Sequence, residues 1–98
     1  HVNVEGPGLP NGGGHIGIVP TQDGTGLTTK PIDGATKKLP ESQRRKMCAC
    51  VVDFFSKSNN YSKIGKQAQG GIDKFPGTAR AAEMERVREL VNKGVPVQ

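Results

Sequence analysis

Near the start of the chain, apolar residues alternate with small or polar ones in two short stretches, Val2-Asn3-Val4-Glu5 and Ile16-Gly17-Ile18-Val19, each preceded by a histidine, His1 and His15. Alternation with period two predicts a strand in each stretch. The nine residues between them, Gly6 to Gly14, are dominated by Gly and Pro and predict a loop, so the two strands form an antiparallel hairpin. Pro20 to Gly26 reads as a turn, with Asp23-Gly24 as its strongest signal. Leu27 to Ile32 is β-prone and predicts a third strand, which Pro31 confines to an edge or an end, and Asp33-Gly34 closes it with a second turn.

The period then changes. Pro40-Glu41-Ser42-Gln43 is a favourable helix start, because Pro is tolerated in a first turn and an early Glu complements the positive end of the helix dipole. From Arg44 to Phe55 no breaker occurs, and Met47, Cys48, Val51, Phe54 and Phe55 recur at three- and four-residue intervals, which predicts the most buried helix of the chain. It is expected to end between Ser56 and Asn60. In Tyr61 to Phe75 the glycines at 65, 70 and 71 interrupt the period, so this stretch reads either as a loop or as one short helical turn around Lys63 to Gln69. After Pro76-Gly77, Thr78 is the expected N-cap of a helix whose apolar stripe is Ala81, Met84, Val87, Leu90 and Val91, and Gly94 with Pro96 marks its end. Strands first and helices after predict a small α+β fold. Its N-terminal half carries an antiparallel sheet of two to three strands, and two main helices in the C-terminal half pack on one face.

Composition sharpens this outline. Ninety-eight residues make one domain, and an apolar fraction of 33% with 14 Gly and 7 Pro implies a lean core and long loops. The abrupt start on a strand pattern suggests a piece of a longer protein. The net charge of +5 is unevenly spread, since Glu5 and Asp23 are the only charged residues before Lys30 and all 14 basic residues follow. A neutral front half thus precedes a basic back half, which points to a polyanionic partner because neutralising phosphates releases condensed counterions. The rival account is that such a charge only keeps a small domain in solution. Lys37, Lys38, Arg44, Arg45 and Lys46 crowd the approach to the first long helix and form the candidate nucleic-acid-binding tract. Phe54 and Phe55 read as core, leaving Tyr61 as the expected stacking platform, so base-specific readout is not indicated. No apolar run is long enough to span a bilayer, no signal peptide is visible, and no motif calls for a cofactor. The Gly12-Gly13-Gly14-His15 segment precedes a strand and lacks the ending of a phosphate loop.

The candidate chemistry lies on the histidine face. If Val2, Val4, Ile16 and Ile18 face the core, alternation puts His1, Asn3, Glu5 and His15 on the other side. Two imidazoles can divide general base and general acid between them, and with an RNA substrate the nucleophile is the substrate's own 2′-hydroxyl, so no metal is needed. Lys30 is the candidate cation for the charge that develops at phosphorus, and Thr28 a candidate hydroxyl donor. Two other assignments share these residues. His1, Glu5 and His15 are a ligand set that zinc or non-haem iron uses, although no metal-binding spacing is present. His15 with Cys48 or Cys50 has the chain order of permuted papain-like cysteine hydrolases, but both thiols fall inside the expected helix, where no helix end activates them. No CxxC occurs, and reduced thiols fit a reducing compartment at the place of action.

The histidine-led hairpin HVNVEGPG…GGGHIGIV, followed by a basic helical end containing GTARAAEMERVRELV, resembles the C-terminal toxin modules of bacterial polymorphic toxins of the Rhs and contact-dependent inhibition type. The resemblance implies a small ribonuclease acting in the cytoplasm of a target cell after delivery as part of a secreted or cell-surface protein. It also implies RNA as substrate and a cognate immunity protein as inhibitor. A non-catalytic basic domain that binds nucleic acid or protein is the alternative from another class.

Overall fold

In the computed structural model, which describes residues 2–4 and 15–98, three strands and four helices pack into one small α+β unit. The strands are β1 (Val2–Val4), β2 (Ile16–Pro20) and β3 (Leu27–Pro31), and the helices are α1 (Gly34–Lys37), α2 (Glu41–Ser56), α3 (Ser58–Lys74) and α4 (Ala79–Asn92). The sheet order is β1-β2-β3, and both pairings are antiparallel. Register places Ile16 opposite Pro31, Ile18 opposite Thr29 and Pro20 opposite Leu27. Residues paired across antiparallel strands share a face, so Ile16, Ile18 and Leu27 point together into the core, where Met47, Val51, Phe55, Ile64, Met84, Val87 and Leu90 meet them.

The β2–β3 connection is built by side chains as much as by backbone. The Asp23 carboxylate accepts from the Thr21 hydroxyl at 2.6 Å, the Thr25 hydroxyl at 2.9 Å and the Thr25 amide at 3.1 Å. These bonds, that of the Thr21 hydroxyl first among them, hold its pKa down at about 2. Gly24 takes the left-handed conformation, φ 74°, and a Cβ there would stand 3.0 Å from the Arg86 guanidinium of α4. At the other end of the chain, Gly94 (φ 77°) closes α4 with its amide on the Val91 carbonyl, while the Val95 amide bonds the Leu90 carbonyl. This paired ending satisfies two orphan carbonyls and turns the tail back. Val97 then bridges Leu27 in parallel, so part of β3's outer edge is covered.

The stretch from Tyr61 to Phe75, for which a loop or a single turn is predicted, is instead most of the 17-residue α3. Its apolar stripe is present in the sequence: Ile64 and Ala68 are fully buried, with Tyr61 and Ile72 packed beside them. The glycines are where the helices approach. A Cβ on Gly71 would stand 3.1 Å from Cγ of the buried Met84, and one on Gly65 would lie 3.6 Å from Val91, whereas one on Gly70 would meet nothing within 4 Å. Glycine therefore weakens α3 locally and admits α4 to close contact, and tertiary packing outweighs the propensity cost. The expectation that α2 is the most buried helix also needs adjusting. It buries Met47, Val51 and Phe55, while α4 buries Ala81, Met84, Val87 and Leu90.

Gly70 and Gly71 of α3 should separate in a thermal-unfolding series. Gly70→Ala is expected to stabilise by about 1 kcal/mol, since an exposed helical Gly gains propensity and meets no neighbour. Gly71→Leu is expected to destabilise by about 1–3 kcal/mol, because the side chain must displace buried Met84. Equal shifts at the two sites would overturn the account of α3 packing.

Candidate active site

The hairpin register that packs Ile16 and Ile18 inward turns Gly17 and its row to the opposite face. Lys30 pairs with Gly17, and the Ile32 amide donates to the His15 carbonyl at 3.2 Å, which places His15 one row beyond Lys30 on that same face. Diagonal neighbours of this kind have Cα atoms ~7–8 Å apart, within reach of a lysine side chain. Gly17 stands between them without a side chain. Lys30 is exposed.

Immediately after β3, Asp33 serves as N-cap of α1, accepting from the Thr36 amide at 2.6 Å through Oδ1. Its other oxygen, Oδ2, lies 2.5 Å from Nδ1 of His15. Thr36, with no exposed surface, completes the arrangement: its hydroxyl accepts the His15 amide at 3.0 Å, while its own amide is the group that Asp33 caps. The hydroxyl and amide of Thr36, and then the His15 ring, hold the Asp33 carboxyl at about 2, well below its ordinary 3.8. The carboxylate is therefore ionised at neutral pH and orients the imidazole. Nδ1 is thus the ring nitrogen that Asp33 engages. The His15 side chain is 38% exposed and that of Asp33 33%, so the pair opens to solvent at one edge of the sheet.

Asp33 and Thr36 are functional candidates that the sequence pattern does not single out, because Asp33-Gly34 reads as a turn and no pattern marks Thr36. The signal lies in the hairpin arithmetic: a hairpin centred on Asp23-Gly24 sets Ile32 opposite His15 and brings Asp33 alongside it. Thr28 does not join them. It pairs with Val19, four positions along β2 from His15, or about 13 Å at ~3.3 Å per residue. Its hydroxyl donates instead to the Gln98 carbonyl at 2.9 Å.

His1 and Glu5 lie outside the described residues. The described part of the hairpin does show that Val2 pairs with Ile18 and Val4 with Ile16, so the start of β1 is set against the end of β2 away from His15. Among the described residues, no group of three His, Cys, Asp or Glu is placed to hold a metal ion. Cys48 and Cys50 are unoxidised and sit in the interior of α2, with Cys48 packed against the core, so neither occupies a helix start.

The basic tract is partly absorbed by the fold. The Arg44 guanidinium donates to the Lys37 and Leu39 carbonyls at 2.8 and 2.9 Å, tying the α1–α2 connection, and Arg45 pairs with Glu41 at 2.7 Å along an exposed turn. Lys37, Lys38 and Lys46 are exposed. Tyr61 is not an open stacking platform, since its ring is half-buried against the core and its hydroxyl donates to the Val95 carbonyl. No helix of the described residues is long and apolar enough to cross a membrane. Comparison of the chain with family models, curated proteins and solved structures gave no match.

Two substitutions test this geometry through stability. Thr36→Val should cost about 1–3 kcal/mol, because it leaves the His15 amide without its acceptor. For Asp33→Asn the pH dependence carries the sign. Asp33 is held below its unfolded pKa, so its charge stabilises the fold above about pH 4, and this contribution is lost as pH falls toward 2. The Tm gap between wild type and Asp33→Asn should thus be full at about pH 5 and close by about pH 2. A gap independent of pH would show that the carboxylate is not held by these bonds.

Proposed function

We propose that the chain is a metal-independent RNA-cleaving domain in which His15 performs one of the two proton transfers and Asp33 orients it. The observation that carries this reading is the 2.5 Å contact between His15 Nδ1 and Asp33 Oδ2, on the sheet face that also presents Lys30. A carboxylate on Nδ1 fixes the ring orientation and stabilises the imidazolium that forms when Nε2 takes a proton. In RNA, the proton removed is that of the 2′-hydroxyl. Its oxygen attacks the adjacent phosphorus, and the 5′-oxygen leaves with a proton from the general acid, giving a 2′,3′-cyclic phosphate end. Of the two transfers, only that of His15 is assigned to a described residue. The Lys30 ammonium, diagonal to His15, supplies positive charge for the non-bridging oxygens as charge accumulates on them.

The basic residues that remain exposed around α1 and the start of α2, Lys37, Lys38 and Lys46, support backbone binding. The resemblance to polymorphic-toxin modules supports the same substrate class and adds delivery into a neighbouring cell and neutralisation by an immunity protein. A partner of that kind would cover the His15 face.

Cleavage of a single-stranded RNA, followed by gel and by end-group analysis, decides the matter. His15→Ala should lower the rate by at least about 100-fold, the scale of a lost general acid or base. Asp33→Asn should lower it by a smaller factor, Thr28→Ala should leave it unchanged, and activity should persist in chelator. Cleavage that survives His15→Ala would remove the proposal. Binding without turnover would favour a non-catalytic basic domain.

A further inference from the structure

Part of the basic charge lies away from the His15 face, on the solvent side of α3. Lys63, Lys66 and Lys74 are exposed, and with the open position Gly70 they recur at three- and four-residue steps, so they line one side of the helix. The line ends at Phe75, which at 37% is the large hydrophobic residue exposed among the described residues. Two cations stand over its ring, Lys74 Nζ at 5.7 Å and Arg80 Cζ at 5.1 Å from the centroid, and the exposure remains with both in place.

The turn that presents Phe75 is fixed. The Phe75 amide donates to the Gly71 carbonyl at 3.1 Å, and the Thr78 hydroxyl donates to the Phe75 carbonyl at 2.6 Å while accepting from the Ala81 amide at 3.1 Å. An exposed ring on a held turn is arranged for contact, because little ordering is left to oppose binding. From Lys63 to Phe75 the helix rises about 18 Å at ~1.5 Å per residue. Asp73, the acid on this flank, accepts from Gln69 at 2.9 Å.

We infer that the outer face of α3, with Phe75 as its terminal stacking surface, is a docking site for single-stranded RNA apart from the His15 site. Spaced cations track a phosphate backbone, and an aromatic ring accepts a base of any identity. A duplex buries its base faces and offers Phe75 nothing to stack on. An anionic membrane would need a continuous apolar face, whereas here a single apolar side chain ends a polar helix surface. The inference rests on the proposed RNA substrate for its choice of nucleic acid but does not depend on His15 chemistry.

The chain contains no tryptophan, so Phe75→Trp in the full chain introduces a unique fluorophore at the site. With His15→Ala added to keep the ligand intact, titration with a short single-stranded RNA should quench the indole emission. A duplex of the same length should leave it nearly unchanged. In anisotropy measurements on the same oligonucleotide, Phe75→Leu should weaken binding by about 5- to 150-fold, the range for losing one stacked base. Lys66→Ala and Lys74→Ala should each reduce the salt slope by about 0.7. Quenching without RNA cleavage by the otherwise wild-type chain would retain this site and remove the catalytic proposal. Cleavage without quenching would do the reverse. A blue shift with phosphatidylserine vesicles but no response to RNA would assign the face to membranes, and wild-type affinity for Phe75→Leu would overturn the stacking role.

Discussion

The arrangement around His15 depends on one constraint, the register of the β2–β3 hairpin, and that register is held at both ends. At the turn, the Asp23 carboxylate gathers Thr21 and Thr25, and Gly24 admits Arg86. At the open end, the His15 and Ile32 backbones are joined, and Thr36 binds both the His15 amide and the Asp33 carboxylate. A slip of one residue would turn His15 inward and Ile16 outward, so core burial and the site geometry are enforced by the same pairing. Buried Thr36 joins strand and helix cap, its hydroxyl on the His15 amide and its own amide on Asp33, and Asp33 in turn holds the imidazole. This gives a short, four-residue helix a role beyond its own marginal stability.

Elements whose signal is local were legible in the chain. Thr78 caps α4 through a bond to the Ala81 amide, Gly94 ends it, Pro31 marks the limit of β3, and the apolar stripe of α2 faces the core as spaced. α3 was obscured for a physical reason. Gly65 and Gly71 lower helix propensity, and the compensation, α4 packing close against the bare backbone, comes from residues well along in sequence. The candidate site divides in the same way. His15 and Lys30 are visible through alternation, while Asp33 becomes a partner only once the turn centre fixes which residues face each other. Thr28 shares the parity of Lys30, but parity specifies a face and says nothing about distance along it.

The His15–Asp33 pair also bears on how a lean fold can orient a side chain at a solvent-facing strand end. An exposed histidine at a strand end has many ring orientations. Here, bonds to both backbone and ring restrict them: the His15 amide is fixed by Thr36, its carbonyl by Ile32, and Nδ1 by Asp33. Positioning of this kind comes from short-range hydrogen bonds rather than from bulk, which suits a chain whose apolar fraction is only 33%.

The distribution of charge follows from the same reliance on hydrogen bonds. A tract of five basic residues before α2 looks in sequence like the main electrostatic footprint, yet Arg44 is bound to two main-chain carbonyls and Arg45 to Glu41. Guanidinium groups are well suited to such ties because their donors form a rigid fork, and Arg44 is drawn into the structure in this way, while Arg45 stays in solvent beside its ion-pair partner. The exposed cations around α1 and the start of α2, outside the Arg45–Glu41 pair, are Lys37, Lys38 and Lys46, and a second set lies along α3 with Arg80 beside Phe75. A polyanion long enough to meet both sets would be held at two places on the molecule. Its affinity would then reflect the joining of two weak contacts by one flexible strand more than the strength of either.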